Sequence, residues 1–241
     1  MMYLHSIQLT LRRALLQQAE EAFSEKPDLA GVVHGRRRIT QGARGRRTTL
    51  FPSRKNGVTV ALESQLETSF CLLLERDAEV TGYRCQALEI EFDHGRCYFP
   101  DFLVRMNDGR WLIREIKPSR LHLTDEVREC HELVEKLLEH CDFDFAVLDQ
   151  TDLPDTGSIQ LENLYTLYHR SIIKPWSRQE CDLAMERIAQ LSGTQPLATW
   201  HAHLAEAGLS PLLVDHLLFH GRLSADLDRP LRLNMPVGIS I

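Results

Sequence analysis

Residues 98–117 read YFPDFLVRMNDGRWLIREIK, from Tyr98 to Lys117, and this stretch decides the fold. Two β-prone runs, Tyr98–Arg105 and Arg110–Lys117, flank Met106-Asn107-Asp108-Gly109. An Asp-Gly pair between two such runs predicts a hairpin, because glycine takes the positive φ that a tight turn needs. Three charged residues stand out within it: Asp101, Glu115 and Lys117. Side chains alternate across a strand, so Glu115 and Lys117 share a face with Trp111 and Ile113. A regular register sets Asp101 opposite Glu115 or Lys117. Carboxylates buried in a sheet are costly unless paired or bound to a cation. A Glu–Lys or Asp–Lys pair at a sheet edge accounts for any one of these residues alone. Pro100-Asp101 followed by Glu115-x-Lys117 across one hairpin is the arrangement that magnesium-dependent phosphodiester chemistry needs.

Outward from the hairpin, Leu62–Leu74 has helical spacing, with Leu62, Leu66, Phe70, Leu73 and Leu74 on one stripe. Glu63 falls inside that stripe and Glu67 at its edge. Core-facing helices rarely carry two acids without a partner. An arginine of the preceding segment is one such partner; a metal held by the hairpin is the other, and Glu67 is the glutamate placed to reach it. Val80–Phe92 reads as a turn and a strand, with Leu88, Ile90 and Phe92 alternating against Glu89 and Glu91. Asp93 to Arg96 turns the chain into the hairpin. Thr124–His140 is a helix with Thr124 as its cap and Val127, Leu133, Val134, Leu137 and Leu138 as its buried face. Phe143–Leu148 suits a buried strand. The order helix, three strands, helix, strand predicts an α/β fold: a mixed central sheet with helices on its faces.

Leu4–Phe23 predicts an opening helix, ended by Pro27 and Gly31. The net charge of −6 hides a local surplus. Arg36, Arg37, Arg38, Arg44, Arg46, Arg47, Arg54 and Lys55 follow one another with no acid between them. Such a run is either a solvated basic loop or an attractor for polyphosphate, and the second reading is favoured if the hairpin performs phosphodiester chemistry.

Downstream, Asp149–Gln160 (DQTDLPDTGSIQ) is polar and turn-rich. The expected division is 1–58 (helix and basic segment, packed on the core), 59–150 (core), 151–160 (linker) and 161–241 (a helical C-terminal domain). Ser177 and Glu180 form a capping box for a helix to Ser192, Leu197–Ala207 forms another, and Ser210-Pro211 opens a third. The Gly208-Leu209-Ser210 turn has helix-turn-helix spacing, and Arg222–Val237 suits a β-wing. The third helix, PLLVDHLLFH, has no Lys or Arg, so it suits a winged-helix module that binds protein, or DNA through its wing alone.

Hydrophobic residues make up 43% and charged residues 26% of the 241, as in an ordinary globular chain. No signal peptide or membrane span is expected, which suits a cytoplasmic protein. The six cysteines form no CxxC pair and predict reduced, buried thiols rather than a zinc or iron–sulfur site. Cys130-His131 and His140-Cys141 match no standard metal spacing and read as ordinary helix residues.

Taken together, Glu67, Pro100-Asp101 and Glu115-x-Lys117 resemble the PD-(D/E)xK nuclease superfamily, whose fold is restriction-endonuclease-like. Within it, Ser64-x-Leu66-Glu67, Val80-x-x-Tyr83-x-x-Gln86, Tyr98-x-Pro100-Asp101-Phe102-Leu103-Val104, Asp108-Gly109 and Glu115-Ile116-Lys117-Pro118 look like the TnsA family of transposase endonucleases. The likeness covers residues 60–150, and more faintly Asp226–Leu231 in the tail. It implies a Mg²⁺-dependent endonuclease, with Mn²⁺ as a substitute, that cuts the 5′ strands of double-stranded DNA at transposon ends. It also implies a DDE-type transposase subunit and an AAA+ ATPase regulator as partners.

On this reading Glu67, Asp101, Glu115 and the Ile116 carbonyl hold one or two hard cations. Lys117 orients or deprotonates the attacking water and screens the phosphate. Glu63 and Gln86 are possible additions to the site. Two other readings stand beside this one: a stand-alone restriction- or repair-type nuclease, and a catalytically inactive module that binds DNA or protein.

Overall fold

In the computed structural model the described residues are 2–39, 48–92 and 95–240, with side chains from residue 9 onward. The chain is mixed α/β and divides into two compact units, Met1–Leu153 and Pro154–Ile241.

In the first unit, helix α1 (Met2–Ser24) is followed by β1 (Val32–Val33), β2 (Thr49–Ser53) and β3 (Val58–Leu62). These strands form a small sheet in the order β1-β3-β2, so it spans residue 58. Helix α2 (Gln65–Arg76) begins later than its apolar stripe suggests, because Leu62 ends β3 and Ser64 caps the helix by accepting from the Glu67 N–H. Glu63 therefore lies before the helix, not on its core-facing stripe.

Strand β4 (Val80–Cys85), the ribbon β5 (Ile90–Phe92) and β6 (Arg96–Tyr98), and the hairpin β7 (Phe102–Met106) and β8 (Trp111–Ile116) follow. Helix α3 (Asp125–Glu139), capped by Thr124, leads into β9 (Asp144–Leu148). The central sheet runs β4-β7-β8-β9; its first two pairings are antiparallel and the last is parallel.

Two expectations are corrected here. The strand beside the hairpin is Val80–Cys85, while Ile90–Phe92 pairs instead with Arg96–Tyr98 in a separate ribbon. Tyr98 consequently belongs to the ribbon, and the hairpin proper begins at Phe102. Pro100 has no N–H to give a ladder, which suits it to the break between the two.

Sheet alternation then sorts the core. Leu103 and Ile113 pack with Leu15 and Ala19 of α1 and with Val134 and Leu138 of α3. Neighbouring Phe102 instead meets Phe70 of α2 edge-on, with ring centroids 5.0 Å apart. Phe23 anchors α1 against Trp111, and the Arg84 and Arg105 guanidinium carbons lie 4.5 and 4.4 Å from its ring. On α3, Leu133 is exposed and His131 occupies the buried face in its stead. Among the cysteines, Cys97 is exposed on the ribbon rather than buried.

The second unit holds α4 (Ile159–Ser171), α5 (Arg178–Ile188), β10 (Gln195–Pro196), α6 (Leu197–Glu206), α7 (Leu212–Phe219), β11 (Leu223–Ala225) and β12 (Pro236–Ile239). Its strands form an antiparallel sheet in the order β10-β12-β11. The Ser177–Glu180 capping box is present, and Pro211 rather than Ser210 occupies the cap position of α7. The leucines of α7 are largely buried. Asp215 among them is fully buried, pairing with Arg170 at 3.2 Å and His201 at 3.3 Å.

Candidate active site

The hairpin turn forms as its sequence dictates: Gly109 has φ +86° and the Met106 N–H donates to the Arg110 carbonyl. Its register pairs Phe102 with Arg114, so Asp101 comes to face Glu115. The Asp101 N–H donates to Glu115 Oε2 at 3.3 Å, and Asp101 Oδ2 accepts from the Ile116 N–H at 2.8 Å. Glu115 is buried, and its Oε1 lies 2.5 Å from Lys117 Nζ. Lys117 is itself held in line by its N–H to the Leu148 carbonyl, 2.9 Å, which extends the β8–β9 ladder. The three residues singled out by the sequence thus meet at one end of the central sheet.

A second set of contacts reaches Asp101 from the other side. Gln86, buried at the end of β4, donates from Nε2 to Asp101 Oδ1 at 2.8 Å. Gln86 Oε1 accepts from Arg37 Nε at 2.9 Å, and Arg37 Nη2 pairs with Glu63 Oε2. Arg37 therefore turns inward to the site, and Glu63, the alternative to Glu67 in the sequence, is its partner. Glu67 is buried, but both of its oxygens are occupied: Ser64 Oγ donates to Oε1 and the Glu63 N–H to Oε2, each at 2.9 Å. Its first role is to cap α2.

Charge is crowded at this point. Burial, then the Glu115 and Glu67 carboxylates, push Asp101 up to about 7. Burial, with Glu63 adding to it, also raises Glu67. For Lys117, burial alone would favour the neutral amine, but the Glu115 carboxylate outweighs it and holds the ammonium above its usual range. Three mutually repelling carboxylates beside one ammonium form a site short of positive charge.

Two groups adjoin Glu115 that the sequence reading left out of the site, Tyr98 and His131, the latter read as an ordinary helix residue. The Tyr98 and His131 rings meet edge-on with centroids 6.1 Å apart, and His131 Nδ1 is buried with no hydrogen-bond partner among the described residues. Burial, then Glu115, raises the Tyr98 phenol, and burial lowers His131. The signal for His131 was its place on the buried stripe Val127-His131-Val134-Leu138 of α3.

Of the expected phosphate ligands, Arg37 alone contacts the site's side chains among the described residues. Arg36 pairs with Glu21 at 2.7 Å, and Arg38 and Arg54 are exposed. Lys55 caps the end of α2, its ammonium donating to the Asp77 carbonyl and, at 2.6 Å, to that of Val80. Arg44, Arg46 and Arg47 lie outside the described residues.

Among the described residues, no group of three or more His, Cys, Asp or Glu side chains is placed to hold a metal ion together. What adjoins is a pair of carboxylates, Asp101 and Glu115, with the Ile116 N–H donating to Asp101. The carboxylates are hard-oxygen donors of the kind Mg²⁺ takes, since it keeps several waters and needs only one or two carboxylates. Lys117 and Gln86 hold the oxygens such an ion would take. Comparison with known proteins finds no matching family model and no curated protein of detectable similarity.

Proposed function

We propose that this chain is a Mg²⁺-dependent DNA endonuclease, the 5′-strand-cutting subunit of a heteromeric transposase. The observation that carries the reading is Asp101 facing Glu115 across the hairpin with Lys117 on Glu115. The β4-β7-β8-β9 order supports a restriction-endonuclease-like core, with the hairpin central and β9 added in parallel after α3.

Asp101, Glu115 and the Ile116 carbonyl would hold the cation, whose chemistry is to acidify a bound water and neutralise charge on the phosphate. Lys117, already fixed beside Glu115 as an ammonium, would orient the attacking water and screen the phosphate; held above its usual range, it is not the base that takes the water's proton. Glu67 adds negative charge behind Asp101, which favours a divalent ion there. Arg37 and Arg38 meet the DNA backbone.

The second unit's element order, α5-β10-α6-α7-β11-β12, supports a winged-helix-like module. The buried, leucine-rich α7 favours a protein partner such as a DDE-type transposase subunit or an AAA+ regulator over groove reading. No helix among the described residues is long and apolar enough to cross a membrane.

The test is cleavage of transposon-end DNA in Mg²⁺ by the parent chain and by Asp101→Ala, each combined with the DDE-type transposase subunit. The variant should fold, by an unchanged circular dichroism spectrum, and should cut no DNA. Full cleavage by a folded Asp101→Ala sinks the assignment. Vigorous cutting of naked DNA by the chain alone would point instead to a stand-alone nuclease.

A further inference from the structure

Gln86 has features that a merely space-filling residue does not need. It is 1% exposed and stands at φ +52°, a left-handed backbone that residues other than glycine seldom adopt. Its backbone is clamped on both sides: its N–H donates to the Asp101 carbonyl at 3.0 Å, and its carbonyl accepts from the Arg36 N–H at 2.9 Å. The segment carrying Arg36 and Arg37 comes this near because of Gly35. A Cβ there would sit 2.3 Å from the Cys85 carbonyl oxygen and 2.4 Å from that of Gln86.

The side chain then uses both ends of its amide. Asp101 only accepts and Arg37 only donates, so one amide orientation satisfies both. Glutamate here would set a carboxylate against Asp101, and an apolar residue would leave both neighbours unserved. Arg37, braced by Glu63, keeps 36% of its side chain exposed, so its guanidinium is oriented from within yet reaches solvent.

We propose that Gln86 is a positioning residue that sets the Asp101 carboxylate and the Arg37 guanidinium in one arrangement, joining a phosphate-gripping group to a cation-holding one. The positioning stands on the geometry; the phosphate and the cation rest on the nuclease reading above. Partners of this kind, one bond removed from a metal ligand, typically alter metal affinity about 10- to 100-fold when removed.

The experiment compares the full chain with Gln86→Leu and, at a more exposed point of the same link, Arg37→Met. In metal-free protein, NMR follows hydrogen exchange of the Ile116 amide, which donates to Asp101 Oδ2. Exchange should quicken on the order of tenfold in Gln86→Leu, and by less in Arg37→Met. Should Gln86→Leu not fold, Arg37→Met decides alone. Calorimetric titration with Mn²⁺ should show affinity weakened about tenfold in Gln86→Leu, with little further loss on adding Arg37→Met, as expected of one coupled unit. Folded variants with Ile116 exchange at the parent rate overturn the positioning role. A parent chain that binds no Mn²⁺ overturns the nuclease reading, while the Ile116 measurement still decides the role of Gln86.

Discussion

Lys117 Nζ lies 2.5 Å from Glu115 Oε1, so the nearest cation to the buried carboxylates is one the chain supplies itself. Glu115 retains only 5% of its side-chain exposure, against 29% for Lys117. Removing the lysine leaves a buried carboxylate without its partner, a cost on the order of 3 kcal/mol. Lys117→Ala should therefore melt lower than the parent in EDTA and recover much of that loss when Mg²⁺ is added. Its turnover should fall about 10²- to 10³-fold, as for loss of one group that stabilises developing charge. Calorimetry showing lost metal affinity would recast Lys117 as a structural residue.

Asp101 makes stability depend on pH in a direction opposite to that of most carboxylates. Its folded value is pushed up to about 7, whereas an unfolded aspartate titrates near about 3.9. Between these values the folded protein binds more protons than the unfolded one, so stability falls as pH rises through that window. Denaturant melts of metal-free protein from pH 4 to pH 7 should show this decline, and Asp101→Asn should flatten it. Mg²⁺ should flatten it too, by favouring the ionised carboxylate.

Glu67 joins two roles that substitution can separate. Ser64→Ala keeps the Glu67 charge but removes the cap and its bond to Glu67 Oε1, which costs about 1 kcal/mol and lowers the melting temperature by roughly 2–4 °C for a unit of this size. Its cleavage should persist. Glu67→Gln can still accept at the cap, so it should melt like the parent while cutting more slowly, because the charge behind Asp101 is gone. Parent-level cleavage by Glu67→Gln would leave the residue a helix cap and nothing more.

Lys55 and Arg38 should part company in DNA binding, although both belong to the basic run. Lys55→Met removes donors to the Asp77 and Val80 carbonyls and should cost about 1–3 kcal/mol of stability, with DNA affinity unchanged. Arg38→Ala should leave stability alone, weaken binding whatever the sequence, and reduce the salt slope of binding by about 1. Fluorescence anisotropy across a salt series, beside thermal melts, reads both effects.

Local rules made much of this protein legible in its sequence. The Asp108-Gly109 turn and the caps at Thr124 and Ser177 depend on residues two or three apart, and each is where those spacings put it. The facing of Asp101 and Glu115 follows from the same turn, because a tight hairpin sets its own register. Tertiary structure alone decided which strand flanks the hairpin, since Val80–Cys85 and Leu88–Phe92 are equally apolar and only packing chooses between them. It alone drew Arg37 to Gln86, 49 residues away, and assigned Lys55 to a helix end rather than to solvent. A run of like charges carries no periodicity to say which members turn inward. That is settled by where buried acceptors stand once the chain has closed upon itself.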